Sequence, residues 1–299
     1  MIDEGDTMLD FRIDTFLTVC KFMNFTKASQ FLNITQPAVS NHIRYLEEYY
    51  NVKLFYFLGK KMQLTKEGQI LLEYATTFKH DDIFLKKRFN DMKEKHELIF
   101  GATLTVGEYI MPNIIDGLLS DESNTVIKMK VANTKELLNY INEGAIDFAL
   151  VEGYFNKLEY DFLHYCQERY VCVASSDFKL DHVDDISDLF KYNLIIREVG
   201  SGSREIIERY LGDRNLNVND FTNLIEISNI NTIKQLVKNN HGISFMYKIA
   251  VEKEMNSGLL KEIDIAGLSI EHDINFVWRK NSVFIDYYQQ LFKLFFEYR

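Results

Sequence analysis

The run Thr35-Gln36-Pro37-Ala38-Val39-Ser40-Asn41-His42-Ile43-Arg44-Tyr45-Leu46-Glu47 constrains this chain more than any other stretch. At helical spacing it gathers Val39, Ile43 and Leu46 on one face and sets Gln36, Ser40, Asn41 and Arg44 on another. Thr35 is placed to cap such a helix, and Pro37 falls in its first turn, where a missing N–H costs nothing. Upstream, Ile13, Phe16, Leu17 and Cys20 give helical spacing over residues 10–21. Thr26 is positioned to cap a second helix with Ala28, Phe31 and Leu32 inward, and Asn33-Ile34 makes a tight turn. Two helices joined by so short a turn predict a helix-turn-helix. A strand from Lys53 to Phe57, a turn at Leu58-Gly59-Lys60-Lys61 and a strand from Met62 to Thr65 predict a hairpin, or wing.

The pattern then changes. From Lys66 to about Lys95, Leu71, Ala75, Phe78, Asp82, Leu85, Phe89 and Met92 follow alternating steps of four and three. That is heptad spacing, broken once by Asp82, and a helix of this kind needs a partner over its seam. Thirty residues of helix would reach about 45 Å. Beyond residue 96, strands and helices alternate, which predicts open, largely parallel sheets. The expected elements include a helix from Glu108 to Leu119 and strands at Glu97–Thr103, Asp147–Val151, Arg169–Ser175 and Asn193–Arg197. A final amphipathic helix is expected from Ile285 to Tyr298. About 200 residues of this alternation suggest two α/β lobes, with crossings near Ala174–Ser176 and Gly267–Glu271.

The net charge of −10 disfavours nucleic acid until its distribution is examined. Residues 8–67 carry +3 and the remainder −13, a locally basic module on an acidic body. No apolar run approaches the roughly 18 residues that would span a bilayer. The acidic N-terminus does not resemble a signal peptide, and Met8 is an alternative start. A cytoplasmic location is expected. Cys20, Cys166 and Cys172 are too sparse for a disulfide framework and are expected to be buried thiols. No CxxC or HExxH spacing marks a metal site, and no cofactor is expected.

The chain resembles a LysR-type transcriptional regulator. The resemblance is carried by Phe16-Leu17, Phe25-Thr26-Lys27-Ala28-Ser29, Leu32 and Thr35-Gln36-Pro37-Ala38-Val39-Ser40. It continues through Ile43, Leu46-Glu47, Leu54-Phe55 and Leu64-Thr65-Lys66-Glu67-Gly68. Weaker signposts follow in Gly101-Ala102-Thr103, Pro112, Gly144-Ala145-Ile146-Asp147-Phe148-Ala149-Leu150 and Gly242-Ile243. The resemblance implies an α/β protein with an N-terminal winged helix-turn-helix (8–67) and a linker helix that dimerises (68–95). A two-lobed, periplasmic-binding-protein-like effector domain (96–299) follows, with lobe I about 96–174 and 271–299 and lobe II about 175–270. It also implies a homodimer or homotetramer on double-stranded DNA, activating or repressing nearby genes, with RNA polymerase a further candidate partner. One departure stands out: the family's usual arginine two residues beyond Leu54-Phe55 is Phe57 here, and the wing's charge sits on Lys60 and Lys61.

Physical chemistry assigns the candidate DNA contacts. Gln36 suits adenine, Ser40 and Asn41 can donate or accept, and Pro37 or Ala38 can touch a thymine methyl. Arg44 suits guanine or phosphate, while Thr35, Lys60 and Lys61 suit phosphate. For a small-molecule effector, three strand-to-helix junctions qualify. They hold Thr103 and Thr105; Gly200, Ser201, Gly202, Ser203 and Arg204; and Ser228 and Asn229. Glycines, hydroxyls and a helix N-terminus together favour an anion. An α/β enzyme is the alternative, but no nucleophile elbow, Walker loop or Rossmann fingerprint is present. A solute-binding protein with a fused DNA-binding-like domain is the other alternative.

Overall fold

The computed structural model describes residues 10–91, 96–120 and 125–299. Met8 and the heptad position Met92 lie outside the described residues. The chain divides into two compact units. The first runs to His96 and adds Asn142–Ala145 and Arg279–Ile285; the second holds Glu97–Ile141, Ile146–Trp278 and Asp286–Arg299.

The first unit opens with α1 (Phe11–Phe22), α2 (Phe25–Phe31) and α3 (Gln36–Tyr50). Each start has its own cap. Asp10 accepts from the Arg12 N–H, Asn24 from the Lys27 N–H, and Thr35 from the Ala38 N–H at 3.3 Å. The cap of α2 is thus Asn24 rather than Thr26, because the earlier side chain reaches the third N–H of the helix first. Helix α3 stops at Asn51, which takes the left-handed conformation (φ 53°) that asparagine tolerates. Its apolar stripe is fully used: Val39, Ile43 and Leu46 pack with Phe16, Val19, Ala28, Leu54 and Ala75. Each buried aliphatic side chain contributes about 1.5–3 kcal/mol as an upper estimate, so the stripe anchors α3 and leaves its other face to solvent.

Strands β1 (Phe55–Leu58) and β2 (Lys61–Leu64) form the antiparallel wing, with Phe55 opposite Leu64. Helix α4 (Lys66–Asp91) follows directly. Gly68 permits this close sequel, since a Cβ there would lie 2.2 Å from the Leu54 carbonyl oxygen. The heptad expectation for α4 holds in spacing but not in facing. Ala75 joins the core of the first unit, with Leu71 packed against it, and Asp82 is buried near Lys86. Phe78 and Phe89 are exposed, and they extend a row begun by Ile70 and Tyr74. The buried middle of α4 is polar. Arg279 donates to Thr77 Oγ1 and the Glu73 carbonyl, while Asp81 accepts from Ser282 Oγ at 2.6 Å and the Val283 N–H at 2.9 Å.

The second unit alternates as expected through β3 (His96–Ala102), α5 (Leu104–Tyr109), α6 (Met111–Ser120), β4 (Thr125–Val131), α7 (Thr134–Asn142), β5 (Phe148–Glu152) and β6 (Tyr160–Ser175). It continues with β7 (Asn193–Ile196), α8 (Gly202–Gly212), β8 (Asn223–Glu226), α9 (Ile230–Lys238), β9 (Ser244–Tyr247) and α10 (Lys248–Asn256). Strands β10 (Leu260–Ile263) and β11 (Ile270–Arg279) and helix α11 (Ile285–Glu297) complete it. The main sheet runs β10-β6-β11-β5-β3-β4 with β9 also on β6, and β7 pairs β8 in parallel. One lobe buries Leu137, Ile141, Ala149, Val151 and Val277, and beside them Phe148 stacks on Phe276 at 4.4 Å. The other lobe buries Cys172, Leu194, Ile207 and Ile243 on one side of its sheet and Val173, Ile195, Ile233 and Val237 on the other.

Three sequence expectations shift. The sheets are not largely parallel: β6 runs antiparallel to β9 and β10, and β11 antiparallel to β5, while β3–β5 and β7–β8 are parallel. The helix expected from Glu108 to Leu119 is two helices, because Pro112 lacks the N–H that would continue α5 and instead sits in the first turn of α6. From Tyr170 onward β6 pairs with β9 and β10, so the chain changes lobe earlier than Ala174. Cys166 and Cys172 are free, buried and six residues apart on one strand, about 20 Å, too far to pair. Burial pushes the Cys166 thiol up to about 11.

Candidate nucleic-acid interface and effector cleft

Helix α3 presents the predicted reading set together. Thr35, Gln36, Pro37, Asn41 and Arg44 are exposed, and Ala38 and Ser40 are half-buried beside them. Gln36, Ser40 and Arg44 stand one above another at intervals of four, and Gln36 Nε2 donates to Ser40 Oγ at 2.9 Å. That contact holds the amide in place without consuming its oxygen. The N-terminus of α3 adds backbone N–H groups and a positive dipole end, both suited to a phosphate.

Beside this face lies a cleft of about 290 Å³ lined by Phe25, Ser40, Arg44, Glu47, Lys53, Phe55 and Phe57. Glu47 is balanced within it, since it pairs with Lys53 at 2.6 Å and accepts from the Leu54 N–H. Lys60 and Lys61 are exposed on the wing turn. Phe57, 62% exposed, therefore brings apolar surface to the same side as Ser40 and Arg44. Sequence reasoning noted Phe57 as a departure, but nothing local to the strand indicated that it shares a wall with the reading helix.

In the second unit the strand ends converge on a residue that the sequence reading did not select. Glu152 closes β5 and is 1% exposed. Its Oε1 accepts from Thr105 Oγ1 at 3.0 Å, its backbone N–H donates to Thr103 Oγ1, and its carbonyl accepts from Thr134 Oγ1 at 2.6 Å. Burial pushes this carboxyl up to about 7, against the Thr105 hydroxyl and the Arg197 charge, which hold it down. Ser201, Gly202 and Ser203 start α8 against the same strand end. A Cβ on Gly202 would stand 2.3 Å from the Glu152 carbonyl oxygen, so only glycine permits this approach. Ser201 Oγ and Ser203 Oγ lie 3.0 Å apart, and Tyr170 donates to the Ser203 carbonyl at 2.6 Å. Gly200 forms the exposed turn before them with φ +92°.

The remaining predicted residues lie apart from this cluster. Arg204 is buried, but its guanidinium is committed to Glu208 at 2.7 Å, Glu226 at 2.6 Å and the Arg197 carbonyl. Its role in the observed geometry is to tie α8 to β8. Asn229 is exposed and caps α9 through the Thr232 N–H, with Ser228 exposed beside it. Near that end of α9, Asn231 reaches Glu108 at 3.4 Å and the Lys234 ammonium lies over the Tyr109 ring at 5.2 Å. The sequence signal for Glu152 was available: an acid ending the apolar strand Phe148-Ala149-Leu150-Val151. Arg197 carried a similar one, as a charge directly after Asn193-Leu194-Ile195-Ile196. Among the described residues no cluster of three or more His, Cys, Asp or Glu is arranged to hold a metal, and no helix is long and apolar enough to cross a membrane.

Comparison with known proteins agrees with both halves of this geometry. Residues 12–69 match the model of bacterial regulatory helix-turn-helix proteins of the lysR family, and residues 93–296 match the LysR substrate binding domain. A helix-turn-helix transcriptional regulator of Methanocaldococcus jannaschii is 28% identical over 86% of this chain and 88% of its own length. Among solved structures, a peroxide-bound OxyR mutant of Corynebacterium glutamicum superposes with a TM-score of 0.61 at 21% identity, covering 99% of this chain and 94% of that one. The CcmR regulatory domain of Synechocystis, solved in complex with 2-PG, superposes with a TM-score of 0.57 at 20% identity over 67% of this chain and 98% of that one. A capped helix with an open polar face, a wing and a two-lobed α/β unit in this order, matched by both family models, place the chain in the LysR family of DNA-binding transcriptional regulators.

Proposed function

We propose that this regulator reads duplex DNA through Thr35, Gln36, Pro37, Ala38, Ser40, Asn41 and Arg44 on α3, with Lys60 and Lys61 gripping phosphates. The cleft around Thr103, Thr105 and Ser201–Ser203 takes a small anionic metabolite that changes transcription of nearby genes. One observation carries the DNA reading: a capped helix whose apolar stripe is buried and whose opposite polar face is open to solvent. Such a helix fits the major groove and can present its N-terminal side chains to base edges. Replacing Arg44 with alanine is expected to weaken binding to a duplex selected by the wild-type protein by about 1–3 kcal/mol, across related sequences alike if the contact is to phosphate. Replacing Gln36 with alanine is expected to change which base is preferred at one position instead. A gel-shift titration of both variants checks this, and unchanged binding by both would overturn the assignment of α3.

The same reading makes the chain a binder rather than a catalyst, located in the cytoplasm. Among the described residues Ser201 and Ser203 hydrogen-bond one another through their hydroxyls, with no base placed to activate either. The CcmR domain that holds 2-PG supports a ligand role for the cleft. Self-association through α4 is supported by its exposed row of Ile70, Tyr74, Phe78 and Phe89, each more than half exposed. Tyr74→Glu places a charge in that row and is expected to shift the protein toward single chains in sedimentation equilibrium. A mass distribution unchanged from wild type would remove α4 from the interface.

A further inference from the structure

Two buried polar atoms at the ends of β5 and β7 have no hydrogen-bond partner among the described residues: Oε2 of Glu152 and Nη1 of Arg197. Both residues are more than nine-tenths buried, at 1% and 7% exposure. Glu152 has its other oxygen on Thr105, and Arg197 has Nε and Nη2 on Glu198. Leaving such groups unmet is unfavourable, most of all when they are charged. The adjacent N-terminus of α8, a helix of 11 residues, is not capped by the Ser201 side chain. The start of α8 thus abuts the strand end that carries the buried acid, and the Arg197 charge acts on that acid.

The ionisation of Glu152 follows from what faces it. Helix α5 contributes the Thr105 hydroxyl, Arg197 and Glu198 follow β7, and β6 and β9 contribute Tyr170 and Tyr247. Arg197 and Thr105 favour the carboxylate, but burial and Glu198 oppose it and prevail. An anion brought beside Arg197 adds a second negative charge near Glu152 and tips it further toward the neutral acid.

Resting on the reading of this cleft as the effector site, we infer that Glu152 acts there as an un-ionised acid that donates its Oε2–H to an anionic ligand. The ligand's charge is met by Nη1 of Arg197 and the first turn of α8. No covalent bond changes: above neutral pH one proton passes from solvent to Glu152 as the anion binds. The effector is thus an anion with an acceptor oxygen, and its affinity falls as pH rises through neutrality.

Isothermal titration of the full chain with glycolate and with sulfate, whose charges are constant from pH 6 to 8, tests this. Binding of the anion that fits is expected to be about tenfold weaker at pH 8 than at pH 6. Glu152→Gln keeps a donor in place and is expected to bind with the same affinity at both pH values, while Arg197→Gln is expected to lose binding at both. Equal affinity of the wild-type protein at pH 6 and 8, or a pH dependence that survives Glu152→Gln, overturns the proton coupling and leaves the cleft an anion site. Absence of binding by both anions at both pH values overturns the coupling together with the anionic reading of the cleft.

Discussion

Glu152→Gln is expected to make the protein more stable than wild type above pH 7, by up to roughly 3 kcal/mol, and to leave it nearly unchanged near pH 4.5. The folded chain raises this carboxyl from 4.5 to about 7 because it is fully buried with one hydroxyl donor. The native state therefore holds a proton that the unfolded chain releases between those values. Stability conferred by the neutral acid is complete below pH 4.5 and is lost as pH rises toward 7, after which it is constant. Each unit of displacement is worth about 1.4 kcal/mol, which gives the stated ceiling. Glutamine cannot ionise, so its urea midpoint lacks this fall. Urea melts of both proteins at several pH values check it; parallel profiles would mean that Glu152 ionises freely in the folded chain.

Gly202→Ala is expected to destabilise the effector unit by about 1–3 kcal/mol or more, while Gly212→Ala in the same helix is neutral or stabilising by up to about 1 kcal/mol. The contrast comes from what each new methyl would meet. At Gly202 the nearest atoms are the Glu152 carbonyl oxygen at 2.3 Å and the Gly153 Cα at 3.0 Å, both backbone, which no rotamer change can move aside. At Gly212 nothing lies within 4 Å. The Gly202 methyl also pushes α8 away from the strand end that it shares with Glu152, so ligand-induced stabilisation should fall along with the melting temperature. Thermal melts of the two variants, with and without a bound anion, separate these effects; similar melting of both variants would contradict the tight contact.

What was legible in the sequence follows the range of the interactions. Caps, turns and the stripe of α3 depend on neighbours within four residues, so Thr35, Asn33 and the Val39, Ile43 and Leu46 face could be read directly. Even there, two competing cap residues, Asn24 and Thr26, placed the start of α2 ambiguously. Heptad spacing in α4 reported that apolar groups recur, but not which of them its own unit covers. Ala75 turned inward while Phe78 did not. The candidate effector cleft was half legible. Strand-to-helix junctions named Thr103, Thr105 and the Ser201–Ser203 run, because hydroxyls and glycines there have local signatures. Glu152 and Arg197 lie 45 residues apart, at the ends of β5 and β7 in two different sheets, so no local pattern could join them. Arg204 illustrates the converse. Its partner Glu208 sits one helical turn away and was visible, whereas Glu226 on β8 was not, and together they occupy a guanidinium that would otherwise suit an anion.

The placement of α3 in the major groove is tested most directly by methylation interference on a selected duplex. Dimethyl sulfate marks guanine at N7 in the major groove and adenine at N3 in the minor groove. Guanine methylation within the bound sequence is expected to block binding, and Arg44→Ala to remove sensitivity at the single guanine that Arg44 meets. Binding that tolerates every N7 methyl group and is blocked only by minor-groove methylation would contradict the account.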